Sequence, residues 1–350
     1  MSSLSQIAYK NFKKDTLGMA GLLLITLTTV LAITAYWIAP DNSPLANQMH
    51  LELATQKPGF SVQIIKISKV QTENVSFIHS LLYGTPNPFQ EIPIAEWDET
   101  QKRYRPFAEG LDLPWKELTV ESFSLENRTY FLGTDKYGRD LLSRILIGSR
   151  VSLAVGFISV VISLLIGITL GALAGYFKGK IDNAIMWLVN VVWSIPTLLM
   201  VLAITLALGK GFWQVFIAVG LSMWVEVARV VRGQVLSVRE KEYVEAGKAL
   251  GFHHFRIIFK HVLPNVMAAV IVISASNFAS AILIEAGLSF LGIGAQPPIP
   301  SWGAMIKDHY AYIIMNKAYL AFIPGAAIML LVLAFVLLGN ALRDALDVRA

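Results

Sequence analysis

Six apolar stretches dominate this chain, and each is long enough to cross a bilayer. They run approximately Leu17–Ala39, Ser152–Tyr176, Ala184–Leu208, Phe212–Val231, Val262–Leu291 and Tyr319–Leu338. A hydrocarbon core of ~30 Å needs about 20 apolar residues in a helix. Backbone polar groups find no water there, so each stretch must satisfy its own hydrogen bonds as a helix. The expected fold is therefore an all-α membrane protein with about six transmembrane helices. Pro196 interrupts the third stretch, and Gly287 is a candidate break near the end of the fifth. Composition agrees: 55% of the 350 residues are hydrophobic, 15% are charged, and the mean hydropathy is +0.57. A soluble domain carries about 25% charged residues. The absence of cysteine excludes disulfides, thiolate metal sites and thiol nucleophiles.

The first stretch follows Lys10, Lys13 and Lys14, as a signal peptide would. Its apolar run is longer than a signal h-region of roughly 7–15 residues, so residues 1–39 are read as a cytoplasmic N-terminus and helix 1. Orientation follows from basic residues in short loops. Lys10, Lys13, Lys14, Lys178, Lys180, Arg229, Arg232, Arg239, Lys241, Lys248, Arg256, Lys260, Arg343 and Arg349 fall on one side. Lys210, Lys307 and Lys317 fall on the other. Both termini are thus expected in the cytoplasm, and the net charge of +5 reflects those loops rather than nucleic-acid binding. Residues 40–150 become an extracytoplasmic insertion. It has a strand at Val62–Val70 and aromatics (Phe60, Phe77, Tyr83, Trp97, Tyr104, Trp115) that suit a small core. Packing onto the outer helix ends is its simplest role, and substrate contact is the alternative. Residues 151–350 hold the other five helices and a polar, helical cytoplasmic loop at 232–264.

That loop carries the sharpest motif. It reads Glu242-Tyr243-Val244-Glu245-Ala246-Gly247-Lys248-Ala249-Leu250-Gly251, then nine residues, then His261-Val262-Leu263-Pro264-Asn265. Glu245 and Ala246 fall on a short helix, Gly251 permits a turn, Phe252 to Lys260 is amphipathic, and Pro264 suits the first turn of the next span. Taken together these residues resemble the signature loop of bacterial binding-protein-dependent ABC importers: Glu-Ala-Ala, three residues, Gly, nine residues, Ile-x-Leu-Pro. Gly247 stands where the second Ala is usual and His261 where Ile is usual. The latter is familiar in the dipeptide/oligopeptide/nickel permease branch. Two further blocks resemble that branch: Gly133–Asp140 continuing to Leu153, and Glu285–Gly292 continuing to Gly303. The C-terminal Leu342–Asp347 fits as well, with Asn340 and Val348 in place of an Asp and a Pro.

The resemblance implies a type I ABC importer permease fold with an extracytoplasmic insertion after helix 1, in a bacterial inner membrane. It implies that Glu245, Ala246, Gly247, Gly251, Leu263 and Pro264 couple to an ATPase subunit. It implies a heterodimer with a second permease, two ATP-binding subunits and an extracytoplasmic substrate-binding protein, with membrane lipid around the spans. Di- or oligopeptides are the implied cargo, and nickel chelates or another small solute the alternative. ATP and Mg would be held by the partner subunits and no cofactor by this chain. The sequence has no Gly-x-x-x-x-Gly-Lys-[Ser/Thr] phosphate cradle.

Glu285, Gly287 and Gly292 mark a possible gate or outer boundary, with Glu285 near enough to the helix end to reach water. Gly167, Gly171 and Gly175 form a small-residue ridge for helix packing, within the chain or against the partner permease. Asp135, Arg139 and Asp140 are read as mutually paired charges that cap the following helix rather than catalytic groups. His253, His254 and His261 lack a ligand pattern for metal. A secondary transporter would need buried coupling carboxylates or inverted repeats, and an intramembrane enzyme a nucleophile–base or metal pair in the spans.

Overall fold

The computed structural model describes residues 4–69, 76–120, 122–209 and 211–346. Of the residues named above, Val70, Lys210, Asp347, Val348 and Arg349 lie outside these. Among the described residues the longer helices are α1 (Leu4–Lys14), α2 (Thr16–Ile33), α3 (Leu141–Phe177), α4 (Gly179–Trp193), α5 (Thr197–Leu208), α6 (Phe212–Arg239), α7 (Glu242–Ala249), α8 (Leu263–Phe290), α9 (Trp302–His309) and α10 (Tyr319–Leu346). Among the described residues five helical stretches are long and apolar enough to span, and a sixth candidate is the bent pair α4–α5. The expected Ala184–Leu208 span is thus not one straight helix. It turns by 90° between Trp193 and Thr197. Pro196 has no N–H to donate and its ring collides with the carbonyl four residues back, so the helix stops there. Several spans exceed their apolar runs: α3 starts at Leu141, α6 runs to Arg239 and α10 to Leu346.

The chain divides into two compact units. The first comprises Met1–Leu27, Ser152–Gln296 and Ile328–Ala350, and the second Thr28–Val151 and Pro297–Ala327. In the first unit, α3 and α6 meet along the glycine ridge. A Cβ on Gly171 would lie 2.6 Å from the Ala228 carbonyl oxygen and 2.9 Å from Val231 Cβ; Gly167 faces Val227, and Gly175 faces Val235. Bare glycine lets the two backbones close to contact, so the ridge packs within the chain. Gly21 does the same against the Ala334 carbonyl of α10, 2.7 Å from where its Cβ would stand.

The second unit contains a five-stranded antiparallel sheet in the order β4-β3-β2-β1-β5. Its strands are β1 (Phe60–Ser68), β2 (Phe89–Asp98), β3 (Arg103–Pro106), β4 (Lys116–Glu117) and β5 (Phe123–Tyr130). The single strand expected near Val62 is therefore an interior strand of a sheet, paired with β2 on one side and β5 on the other. Of the expected aromatics, Phe60 packs against its core, and that core is mostly aliphatic. Phe77 and Tyr83 are exposed, and Leu53, Val62, Ile64 and Tyr130 form the core, with Phe60 and Phe107 against them. Arg128 binds Glu91 through two bonds of 2.6 and 2.8 Å, and His50 meets the same carboxylate at 3.2 Å. Burial alone would raise the Glu91 carboxyl. The bonds from His50 and Arg128, with the Arg128 charge, outweigh it and hold that carboxyl well below the usual range.

Asp135, Arg139 and Asp140 pair and cap as read. Arg139 Nε donates to Asp135 Oδ2 at 2.6 Å, and Asp140 Oδ2 accepts from the Ser143 N–H at 2.8 Å at the start of α3. All three are buried, and burial pushes the Asp140 carboxyl up against the hydrogen bonds from Ser143. Trp302 of α9 donates to the Ile145 carbonyl at 3.0 Å, in the same unit.

Candidate functional site

The motif Glu242–Asn265 folds as a helix–turn–helix elbow in the first unit. Helix α7 begins with Glu242 and Glu245 in its first turn and has Lys248 in its last, charges that suit the helix dipole. It ends in a tight closure at Gly251. The Phe252 N–H reaches back to the Gly247 carbonyl at 3.1 Å, and the Gly251 N–H to Lys248 at 2.9 Å. This is the Schellman pattern, which puts its C′ residue in the left-handed region. Gly251 has φ +74°.

After the turn, His254–Ile257 starts a new helix, Ile258–Val262 forms one π turn, and α8 follows with Pro264 in its first turn. Pro264 removes the N–H that would bond the Lys260 carbonyl, and the wider turn makes room for its ring. The Asn265 side-chain amide donates to the His261 carbonyl at 2.8 Å. The helix therefore runs without interruption from His254 to Phe290, 37 residues.

The inner face of the elbow is anchored. Val244, Ile257, Ile258 and Val262 are buried with Ala172 and Tyr176 of α3 and Val235 of α6. Tyr176 Oη meets His254 Nδ1 at 3.0 Å, and Arg239 donates to the Tyr176 carbonyl. Lys178 pairs with Glu240 at 2.9 Å, and Arg232 grips Asp182 with two bonds. The outer face is unusual for a polar loop. Leu250, Phe255 and Phe259 are 72%, 54% and 65% exposed, beside the exposed Glu245, Ala246, Gly251 and Pro264. Gly247 is buried and Leu263 half-buried. The apolar residues of the elbow thus divide in two: Val244 and Ile258 are buried, and Leu250, Phe255 and Phe259 are exposed.

At the other end of the same helix, Glu285 does not reach water. It is 1% exposed and accepts from Ser289 Oγ at 2.7 Å, and that oxygen in turn accepts from the Ala295 N–H at 3.1 Å. Gly287 does not break the helix, which continues through it to Phe290. The break falls at Gly292, φ +79°, where the Ile293 N–H reaches the Leu288 carbonyl at 2.9 Å and the Gly292 N–H reaches Ser289 at 3.0 Å. The two ends of the helix are therefore bounded by the same glycine closure.

Glu226, a carboxylate inside the fourth apolar stretch, went unnoticed in the sequence because Val, Ala and Trp surround it. It lines a cavity beside the α4–α5 break. Trp193 carries the Arg229 guanidinium 3.7 Å from its ring centroid.

The family profile described as "Binding-protein-dependent transport system inner membrane component" matches residues 167–350 of this chain. The chain belongs to that family. The elbow and the glycine ridge of this permease both lie within the matched region. A second profile, the N-terminal transmembrane domain of oligopeptide transport permease C, matches residues 3–58. The dipeptide transport system permease protein DppC of Lactococcus lactis subsp. cremoris is 32% identical over 348 residues, covering 99% of this permease and 91% of its own length. The glutathione transport system permease protein GsiD of Pectobacterium atrosepticum is 41% identical over 218 residues, 62% of this permease and 72% of its own length. Among solved structures, the MetNI methionine ABC transporter in an inward-facing conformation aligns with TM-score 0.49 and 18% identity, over 58% of this permease and 96% of that chain.

Proposed function

We propose that this permease forms half of the translocation pathway of an ATP-driven importer of di- or oligopeptides. In this reading it pairs with a second permease, two ATP-binding subunits and an extracytoplasmic substrate-binding protein. ATP and Mg belong to the ATP-binding subunits, and both termini and the elbow face the cytoplasm. One observation carries the reading: exposed Leu250, Phe255 and Phe259 sit on an elbow whose inner face is buried against α3 and α6. A solvated loop has no use for three large apolar side chains on its outer face, whereas a groove in a partner does. Closure of a nucleotide-bound dimer would carry the elbow with it and bias the spans between inward and outward access. The peptide cargo is supported by the dipeptide permease that aligns with nearly the whole chain.

The sequence holds no cysteine, so a single introduced thiol reports without background. Leu250→Cys should cross-link to a thiol placed in the groove of the ATP-binding subunit, and should resist an impermeant thiol reagent added outside intact cells. Labelling from outside, or no cross-link in an assembled transporter, would overturn the reading. Uptake of a labelled dipeptide by the reconstituted transporter, dependent on ATP and unaffected by ion gradients, tests the cargo and separates the reading from a secondary transporter.

A further inference from the structure

Two cavities in the first unit share walls from α6 and α8. One, about 280 Å³, is lined by Glu226, Ser222, Trp193 and Ser280. The other, about 730 Å³, is lined by Arg229, Gln234, Ser276, Asn340 and Arg343. Glu226 and Arg229 are three residues apart on α6 and so share a face of that helix. Ser276 and Ser280 are one turn apart on α8 in the same way. The two cavities therefore carry one polar stripe, with a carboxylate at its Glu226 end and guanidinium groups at its other.

Glu226 lies ~21 Å along α6 from Phe212, at ~1.5 Å per residue, which is well within a helix crossing a ~30 Å core. It is exposed, and among the described residues it enters no ion pair. The Arg229 guanidinium is held from behind. Nη2 donates to Asn190 Oδ1 at 2.7 Å and the group lies over Trp193. Neither contact neutralises it. A carboxylate at the depth of Glu226 is costly, and it persists where it faces a water-filled path and meets a charged solute. A carboxylate is matched by an ammonium group, and a fixed guanidinium by a carboxylate. A short peptide carries both.

We infer that Glu226 and Arg229 contact the ammonium and carboxylate termini of a peptide in transit, with Arg343 adding positive charge on the carboxylate side. This rests on the importer reading and adds to it where on this chain the cargo is read. The complete transporter, with its binding protein, is reconstituted in proteoliposomes and uptake of labelled Ala-Ala is measured. Glu226→Gln and Arg229→Gln should each lower uptake about tenfold or more, the size of one charge-assisted hydrogen bond. Glu226→Asp should restore most of it, Arg229→Lys only part, since an ammonium keeps the charge but not the planar fork held over Trp193, and Glu117→Gln, an exposed charge at the sheet edge, should leave it unchanged. Wild-type uptake by assembled Glu226→Gln transporter overturns the inference and leaves the importer reading intact. Loss of co-purification with the second permease in Glu226→Gln also overturns it, by assigning the pair to the subunit interface. A wild-type transporter that hydrolyses ATP yet takes up no peptide sinks the peptide reading and this inference together.

Discussion

Gly251 offers a graded test of the elbow. Its φ of +74° is a conformation that side chains with a Cβ resist, yet a Cβ built there meets nothing within 4 Å. Gly251→Ala therefore carries a backbone penalty alone, about 1–2 kcal/mol. That shifts the balance between closed and frayed elbow by roughly five- to thirty-fold. Gly251→Pro is a different perturbation. Proline fixes φ near −65°, so the closure cannot form, and it deletes the N–H that bonds Lys248 at 2.9 Å. The penalty rises to about 3 kcal/mol or more, and the outer face formed by Leu250, Phe255 and Phe259 loses its arrangement. Gly247→Ala has the opposite sign. Its Cβ would stand 3.6 Å from Phe252 and 3.9 Å from Ile257, ordinary contact, and alanine favours a helix over glycine by about 0.5–1 kcal/mol. Peptide-dependent ATPase activity and uptake, measured on the reconstituted transporter, should rank Gly247→Ala at or above wild type, Gly251→Ala reduced, and Gly251→Pro uncoupled while still in the membrane. Normal transport by Gly251→Pro would refute the claim that this turn shapes the docking unit.

Other substitutions probe the remaining structure. Gly171→Ala places a methyl 2.6 Å from the Ala228 carbonyl oxygen and should cost about 1–3 kcal/mol, read as a lower thermal midpoint in detergent. Glu91 has a folded-state pKa below its unfolded value of 4.5, so its contribution is complete above that pH and fades as pH falls below it. Glu91→Gln should therefore raise protease sensitivity of the insertion at pH 7 and flatten its further rise in acid. The Gly59 N–H bonds the Tyr130 carbonyl at 2.9 Å, so the sheet enters and leaves at one point. Excising it there with a short linker should spare co-purification with the ATP-binding subunits, and loss of co-purification would assign the insertion a larger part.

The spans and the elbow were legible because both obey strong local rules: apolar length for the first, glycine and proline at fixed offsets for the second. The turn at Gly251 and the position of Pro264 follow from single residues whose backbone freedom is unlike any other. The sheet was mostly invisible, because β2 and β5 mix Glu, Asn, Arg and Pro into their strands and declare themselves only by pairing with β1. Gly287 misled because a glycine breaks a helix only where closure bonds are available, and those form around Gly292. Glu285 misled because distance from a helix end says nothing about what packs over it. Glu226 was hidden for the opposite reason: one carboxylate hardly alters the apolarity of the stretch around it, and its exposure depends on which neighbours turn away.

The 37-residue helix from His254 to Phe290 joins the elbow directly to the turn that closes around Glu285 and Gly292. At ~1.5 Å per residue such a rod is roughly 56 Å long, and pivoting it by roughly 5° displaces one tip against the other by about 5 Å. A modest rocking stroke delivered at Phe259 would thus arrive at the far tip along one continuous helix. Arm length alone, with no relay of side-chain rearrangements, suffices for that amplification.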